Sequence, residues 1–437
     1  MIKTFKNSKM LYITGLLLLF IIALSVVTTK YLSVIAMAIF ALFCVVSPVT
    51  HSYALLFALL PFANIFKMEA GMTSFFTVCE ILVVLVSIVK AKKIKVGFFL
   101  SAALLTAYML IADVKNFELL TVIKVIIGIA LLYFIVSAAK KEDVVNISYM
   151  LSISVIIMLL LSQWESYYAA VEPFLSDLDY VLNDAGNASD IVRNGGLLGD
   201  PNYCAVLIVL SVALLSVLYY YKSIGVEFWL LVGFLIPMGL FTYSKSYFLC
   251  IAVLITFLIV FILIPRHRRW AVVVICGLFI LGILVIGGRI ELFNVILGRF
   301  SKADLTSGRT TLNEQYLEHI FSSSATLFFG DGISVDRIAT ATNNVHNIYI
   351  ELLFKLGLIG SAIYIVALAN AVCVKNEIKA KRHLVDYIPL LFLLVMYYFL
   401  AGVNAYELPF YIAIAVLSIK YSRMGNQAIP QTKKVTR

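Results

Sequence analysis

Charge is scarce in this chain. Of its 437 residues only 13% are Asp, Glu, Lys or Arg, while 62% are hydrophobic and the mean hydropathy is +1.01. Soluble domains carry about 25% charged and about 45–50% apolar residues. The deficit excludes a soluble enzyme and a disordered chain. The formal net charge is +10, yet no block of Lys and Arg stands in a polar domain, so nucleic acid is not an expected partner. Cysteine is scarce as well. Cys44, Cys79, Cys204, Cys250, Cys276 and Cys373 lie scattered in apolar runs, never at C-x-x-C spacing. That excludes a disulfide framework, and the thiols read as small apolar side chains. No second His or Cys stands at ligand spacing from a first, which argues against zinc. Neither a metal nor a cofactor is expected.

Long apolar runs are what the chain has instead. A helix crossing a membrane needs about 20 mostly apolar residues. Such runs lie near 10–28, 31–48, 52–66, 74–89, 97–112, 119–138, 147–164, 201–221, 226–242, 244–264, 270–287, 347–374, 385–401 and 404–420. The third, fourth and fifth are short. The expected fold is therefore all-α, a polytopic membrane helix bundle of about 12–14 transmembrane helices forming one domain over 1–437. The first run follows Lys3, Lys6 and Lys9, as a signal sequence would. No small-residue cleavage site follows it, so it reads as a retained anchor.

The basic residues orient the bundle. With the N-terminus in the cytoplasm and the runs alternating, the inner connections hold the clusters at Lys90–Lys95, Lys140–Lys141, Arg266–Arg269, Lys375–Arg382 and Lys420–Arg437. In all, 22 of the 34 Lys and Arg fall inside. By the positive-inside rule both termini are cytoplasmic in a multi-pass protein of the cell (inner) membrane. Two connections on the outer side are long, 165–200 and 288–345. Long loops on a compact scaffold tend to carry function, and short amphipathic helices are expected in both. In the second, a helix is expected near 308–321. Leu312, Tyr316, Ile320 and Phe321 share one face and Glu314 and Glu318 the other, while Ser307 as N-cap places Arg309 in the first turn. Such a helix could lie flat in the outer interface.

Charges inside apolar runs are costly and mark candidate sites. Glu80, Lys124, Glu351 and Lys355 all enter from the outer side. The plain account is snorkelling or an ion pair such as Glu80 with Lys124; the functional one is a polar chamber opening outward. In Arg193-Asn-Gly-Gly-Leu-Leu-Gly-Asp-Pro-Asn202, Asp200 and Pro201 read as N-cap and first residue of the next helix. The glycines, Gly199 among them, permit close backbone approach, and free N–H groups beside a helix N-terminus suit phosphate. Arg193 adds a planar fork for its oxygens; a loop turn with an incidental Arg is the plain alternative. In Asn343-Asn-Val-His-Asn-Ile-Tyr-Ile-Glu351, His346 sits where the loop re-enters the membrane, with Asn347 and Glu351 near enough to orient it. A capping or packed His is the plain alternative. His346 is the best-placed base in the chain.

Four features in order resemble the O-antigen ligase/polymerase family of bacterial membrane glycosyltransferases. They are Arg193 with Gly196-Leu-Leu-Gly-Asp-Pro-Asn-Tyr203, then Thr242-Tyr-Ser-Lys-Ser-Tyr247, then Ser307-Gly-Arg309, then His346-Asn347 with Glu351 and Gly357. They cover about residues 190–360. One departure stands out: the family usually carries Arg where this chain has Lys245, a point charge without the planar fork. The resemblance implies an undecaprenyl-pyrophosphate-linked oligosaccharide as donor, an acceptor glycan, membrane lipid around the apolar tail, and neither metal nor nucleotide sugar. It also implies a flippase and a chain-length regulator as working partners. On this reading His346 is the base, Arg193 and Arg309 clamp the leaving pyrophosphate, and Lys245, Asn347, Glu351, Gly199, Asp200, Asn202 and Lys124 bind substrate at a site facing outside. Within the family, a polymerase of surface polysaccharide (O-antigen, capsule or exopolysaccharide) competes with an O-antigen ligase and a protein O-oligosaccharyltransferase. The loops carry no extra domain for a protein acceptor, which favours the polymerase. Outside the family, a flippase or transporter of polysaccharide precursors and a sugar O-acyltransferase are the alternatives.

Overall fold

The structure, a computed structural model, describes residues 8–91, 94–114, 118–175, 194–266, 274, 309–339, 341, 344–373, 383–398, 400, 402–403 and 405–424. Among the described residues there is no strand. Helices occupy every apolar run except 270–287, of which only residue 274 is described. In chain order they are α1 Lys9–Val27, α2 Tyr31–Val46, α3 Val49–Leu59, α4 Phe75–Lys90, α5 Val96–Ala112, α6 Leu119–Ala138, α7 Lys141–Ser162 and α8 Glu165–Leu175. There follow α9 Pro201–Tyr220, α10 Glu227–Leu240, α11 Lys245–Phe257, α12 Arg309–Phe321, α13 Ser324–Phe329, α14 Ile348–Val372, α15 Ile388–Tyr397 and α16 Leu408–Tyr421. A π turn, Leu258–Leu263, prolongs α11.

Six of these are long and apolar enough to cross a membrane: α1, α6, α7, α9, α11 with its π turn, and α14. They mark a membrane protein. Others are apolar but shorter; the 16 residues of α2 reach about 24 Å of a hydrocarbon core roughly 30 Å thick. Helix is the form these runs must take, because hydrocarbon offers no partner for a backbone N–H or C=O and a helix satisfies its own.

α9 is the axis of the bundle. Asn202 and every residue from Cys204 to Leu218 are buried, against α7, α10, α11, α15 and α16. By contrast α1 buries one stripe, including Leu11, Leu18 and Ile22, and leaves Met10, Ile13 and Phe20 exposed on the other. An apolar face of that kind is suited to lipid.

One end of the bundle gathers the long connections. The Asn64 amide donates to the Leu198 carbonyl (2.9 Å), the Asn194 N–H to Phe241 (3.0 Å), and the Ser334 N–H to Asp113 (3.2 Å). We call this the loop-bearing end. At the other, the Lys90 ammonium donates to the carbonyls of Cys44 (3.0 Å) and Ser47 (2.9 Å), and Tyr221 donates to Asp386 (2.6 Å).

α14 is broken. Gly357 adopts φ +61 and ψ −173, a conformation closed to other residues without strain. The break frees carbonyls that the bundle must satisfy. Asp331 N–H donates to Phe354 (2.9 Å), Gly332 N–H to Lys355 (3.0 Å), and the Tyr108 hydroxyl to Leu356 (2.7 Å). A Cβ on Gly357 would meet the Gly330 nitrogen at 2.5 Å, so glycine is required on both sides of the contact.

The helix expected near 308–321 is present as α12, while its expected cap, Ser307, lies outside the described residues. It does not stand alone. Tyr316 and Ile320 form a small core with Ile338, Ala341, Val345 and Phe354, the Tyr316 and Phe354 rings meeting edge to face at 5.1 Å. Glu314 and Glu318 are exposed as expected, but so is Phe321. Its position at the last residue carries it past the stripe that Tyr316 and Ile320 bury.

Candidate functional site

The site's floor is the segment Asn194–Asn202. Gly196 (φ +60) and Gly199 (φ +78) turn the chain, and a Cβ on Gly195 would strike the Gly199 oxygen at 2.3 Å. The Asn194 side chain locks the turn, accepting from Gly196 N–H (2.7 Å) and donating to Ser162 (3.1 Å). Asp200 then caps α9 with Pro201 behind it, as its sequence position indicates. Its carboxylate accepts from the Asn202 N–H at 2.6 Å. The positive pole of α9 is therefore already answered by a carboxylate, and a phosphate placed there would meet like charge.

His346, in the last residues before α14, is within electrostatic reach of Asp200 at the end of this floor. It is half-buried. Burial pushes its imidazole down to about 4; the Arg309 guanidinium pushes the same way, and the Asp200 carboxylate opposes them. The ring is therefore neutral at pH 7 and within electrostatic reach of a cation and an anion. Three positions far apart in sequence are thus linked through His346 beside α14, on which the charges of Asp200 at the start of α9 and Arg309 at the start of α12 both act. Arg193 lies outside the described residues.

The second motif joins the same floor. The Ser244 hydroxyl donates to the Asn202 side chain (3.0 Å) and shares a hydrogen bond with Ser246 (2.8 Å). Lys245, between them, is half-buried at the first residue of α11. Asn347 caps α14, its side-chain oxygen accepting from Tyr349 (3.0 Å) and Ile350 (3.4 Å). Those bonds assign it to holding the helix start beneath His346.

Glu351 is held from two sides. One carboxylate oxygen accepts from the N–H groups of Gly402 and Val403 (3.0 Å to the latter), and the other pairs with the Lys355 ammonium at 3.0 Å. Both residues are buried. The pair lies one turn apart on α14, so helix geometry brings the charges together, and the carboxylate ties down the turn before α16.

Glu80 and Lys124 form no ion pair. Glu80 is buried in α4, where the charges acting on it come from Glu407 first and Lys124 second. Lys124 lines a groove of about 300 Å³, counted with its open side, between α6, α14 and α16. Glu407, buried just before α16 and within reach of the Asp200 charge, is the residue that sequence reasoning missed. The signal was there: a carboxylate inside the run 404–420 obeys the same logic as Glu80. Asn64 was missed as well. It reaches Leu198 and accepts from the Tyr406 hydroxyl (3.2 Å), yet no pattern in sequence pairs positions 64, 198 and 406.

Among the described residues no three His, Cys, Asp or Glu side chains converge to hold a metal ion. Comparison with protein-family models, with curated proteins and with solved structures finds no match.

Proposed function

We propose that this protein is a membrane glycosyltransferase, a polymerase of surface polysaccharide that takes its glycan from an undecaprenyl-pyrophosphate donor. In this reading the bundle crosses the cytoplasmic membrane about 12–14 times, both termini lie in the cytoplasm, and the loop-bearing end faces outward. The observation that carries it is that the Arg309 charge acts on His346 within reach of a glycine-built floor.

The chemistry follows from those groups. A sugar hydroxyl is a poor nucleophile, and the neutral His346 ring can accept its proton as the new bond forms to the anomeric carbon. The bond from that carbon to the pyrophosphate oxygen breaks in the same step, and attack from the opposite face inverts the centre. The departing lipid pyrophosphate takes the electron pair, and Arg309, with Arg193, neutralises it. A bound pyrophosphate beside His346 would also raise the affinity of the ring for the proton, coupling donor binding to base strength. Lys245 adds a point charge from α11. The ligase and the protein oligosaccharyltransferase differ only in acceptor, and use the same groups.

The break in α14 favours a second reading, since transporters of membrane substrates use discontinuous helices. In those the freed backbone faces the cargo. Here the carbonyls of Phe354, Lys355 and Leu356 are taken by Asp331, Gly332 and Tyr108, so these three are not open to a transported ion.

Turnover in vesicles discriminates. The full chain, supplied with lipid-linked repeat units, should extend them, and His346→Ala and Arg309→Ala should not. Extension at the parent rate by both variants would end the enzymatic reading. Movement of the donor across the bilayer without extension would establish the flippase instead.

A further inference from the structure

A helix pinned at one point can pivot, and α12, which begins with Arg309, is pinned to α14 at two. The first point is apolar. Tyr316 and Ile320 pack with Phe354, and Tyr316 also lies against the backbone at Ile338 and Val345, the latter next to His346. The second is polar. His319 places Nε2 at 2.6 Å from the Asp331 carboxylate, and its ring meets that of Phe354 edge to face, centroids 5.9 Å apart. An ionised carboxylate only accepts, so Nε2–H is the donor. The Asp331 N–H in turn donates to the Phe354 carbonyl at 2.9 Å. The circuit therefore closes on one residue of α14. The neighbouring cation, Lys355, pairs with Glu351 at 3.0 Å, and Asp331 answers His319 instead.

The apolar contact is enough to dock the helix. The pair adds little stability, since both side chains are partly exposed and such pairs are worth little in water. Its leverage is geometric. A hydrogen bond is directional where apolar contact is not, so it can set an angle that packing alone leaves loose. Arg309 lies ten residues before His319, about 15 Å along the helix. A tilt of about 4° over that arm moves the start of α12 by about 1 Å, a displacement able to cost about 10²-fold in rate. We infer that His319 and Asp331 are positioning residues: their hydrogen bond fixes the angle of α12 across α14, and with it the placement of Arg309 toward His346. The inference rests on the glycosyltransferase reading for its effect on turnover, while the geometry it asserts is measurable without any reaction.

The full chain, reconstituted in vesicles with lipid-linked repeat units, tests it. His319→Phe keeps a ring on Phe354 and removes the bond; Asp331→Leu removes it from the other side. Each should lower kcat at least about tenfold, with KM within about threefold and the thermal unfolding midpoint within about 2 °C of the parent. His319→Gln, which keeps an N–H donor for Asp331, should recover most of the rate. A variant whose midpoint falls further is set aside and the other decides. If both midpoints fall, or His319→Gln is as slow as His319→Phe, packing and not the bond is at work and the inference is overturned. Turnover at the parent rate overturns it as well. A second measurement needs no catalysis. Spin labels at Thr311→Cys and Leu358→Cys, exposed positions on α12 and α14, report the angle between them in a Cys276→Ser, Cys373→Ser background. Their distance distribution should broaden in His319→Phe and stay narrow in His319→Gln. No broadening in His319→Phe overturns the inference whatever the turnover. If the parent polymerises nothing, the glycosyltransferase reading fails, and the label distances alone decide the geometry.

Discussion

The two ends of the bundle handle charge in opposite ways. At the end away from the loops, charges finish helices. Lys90 donates to the last carbonyls of α2, Lys420 reaches the end of α6, and Asp143 accepts from the N–H of Lys140 at 2.9 Å. Each charge there answers backbone groups that a helix end leaves unpaired. At the loop-bearing end Glu80, Glu407, Lys124, Asp200, Arg309 and His346 act on one another across four or more helices. Of these only Asp200 serves as a cap. Charges buried without a structural duty are expensive, and their concentration at one end is what marks a site.

Breaking the chemistry should have the largest effect. His346→Ala should lower polymerisation by about 10²- to 10⁴-fold with an unchanged unfolding midpoint, since a general base contributes that much. Next is the buried pair on α14. Lys355→Met leaves Glu351 with two N–H donors but no cation, and should cost about 3 kcal/mol by denaturant unfolding in detergent. Gly357→Ala should cost about 1–3 kcal/mol through its positive φ, and more if the turn at Gly330 cannot retreat. The pH response sharpens the contrast. The His346 ring binds its proton only near pH 4 in the folded chain, while an unfolded His binds near 6.5, so the unfolded state holds more protons between those values. Stability should therefore fall as pH drops from 6.5 to 4, and His346→Gln should flatten that slope in unfolding curves taken at each pH. Smallest is Lys90→Met at the opposite end. A partly exposed cap of that kind should be worth about 1 kcal/mol or less, with polymerisation unaffected.

Much of the local structure is legible in the chain. The apolar runs place the helices to within about seven residues, Asp200-Pro201 announces the start of α9, and the spacing of Tyr316 and Ile320 announces the buried face of α12. The site is legible only in parts. His346, Arg309 and Asp200 can each be singled out, but the contacts of Glu351 with Lys355 and Val403 cannot be read from its spacing to His346. Its place on the helix turns it toward Lys355 and the turn at Gly402. The break at Gly357 is equally hidden, because a glycine within an apolar run is compatible with an unbroken helix.

What the residues decide alone is whatever a solvent without hydrogen-bonding capacity enforces: that the runs are helical, how long each is, and where each is capped. Those are local matters, settled over a few turns of backbone. Which charges meet is not local. It depends on how α4, α6, α9, α12 and α14 pack around one another, and burial at that junction, rather than anything adjacent in the chain, keeps the His346 ring neutral within reach of Arg309 and Asp200.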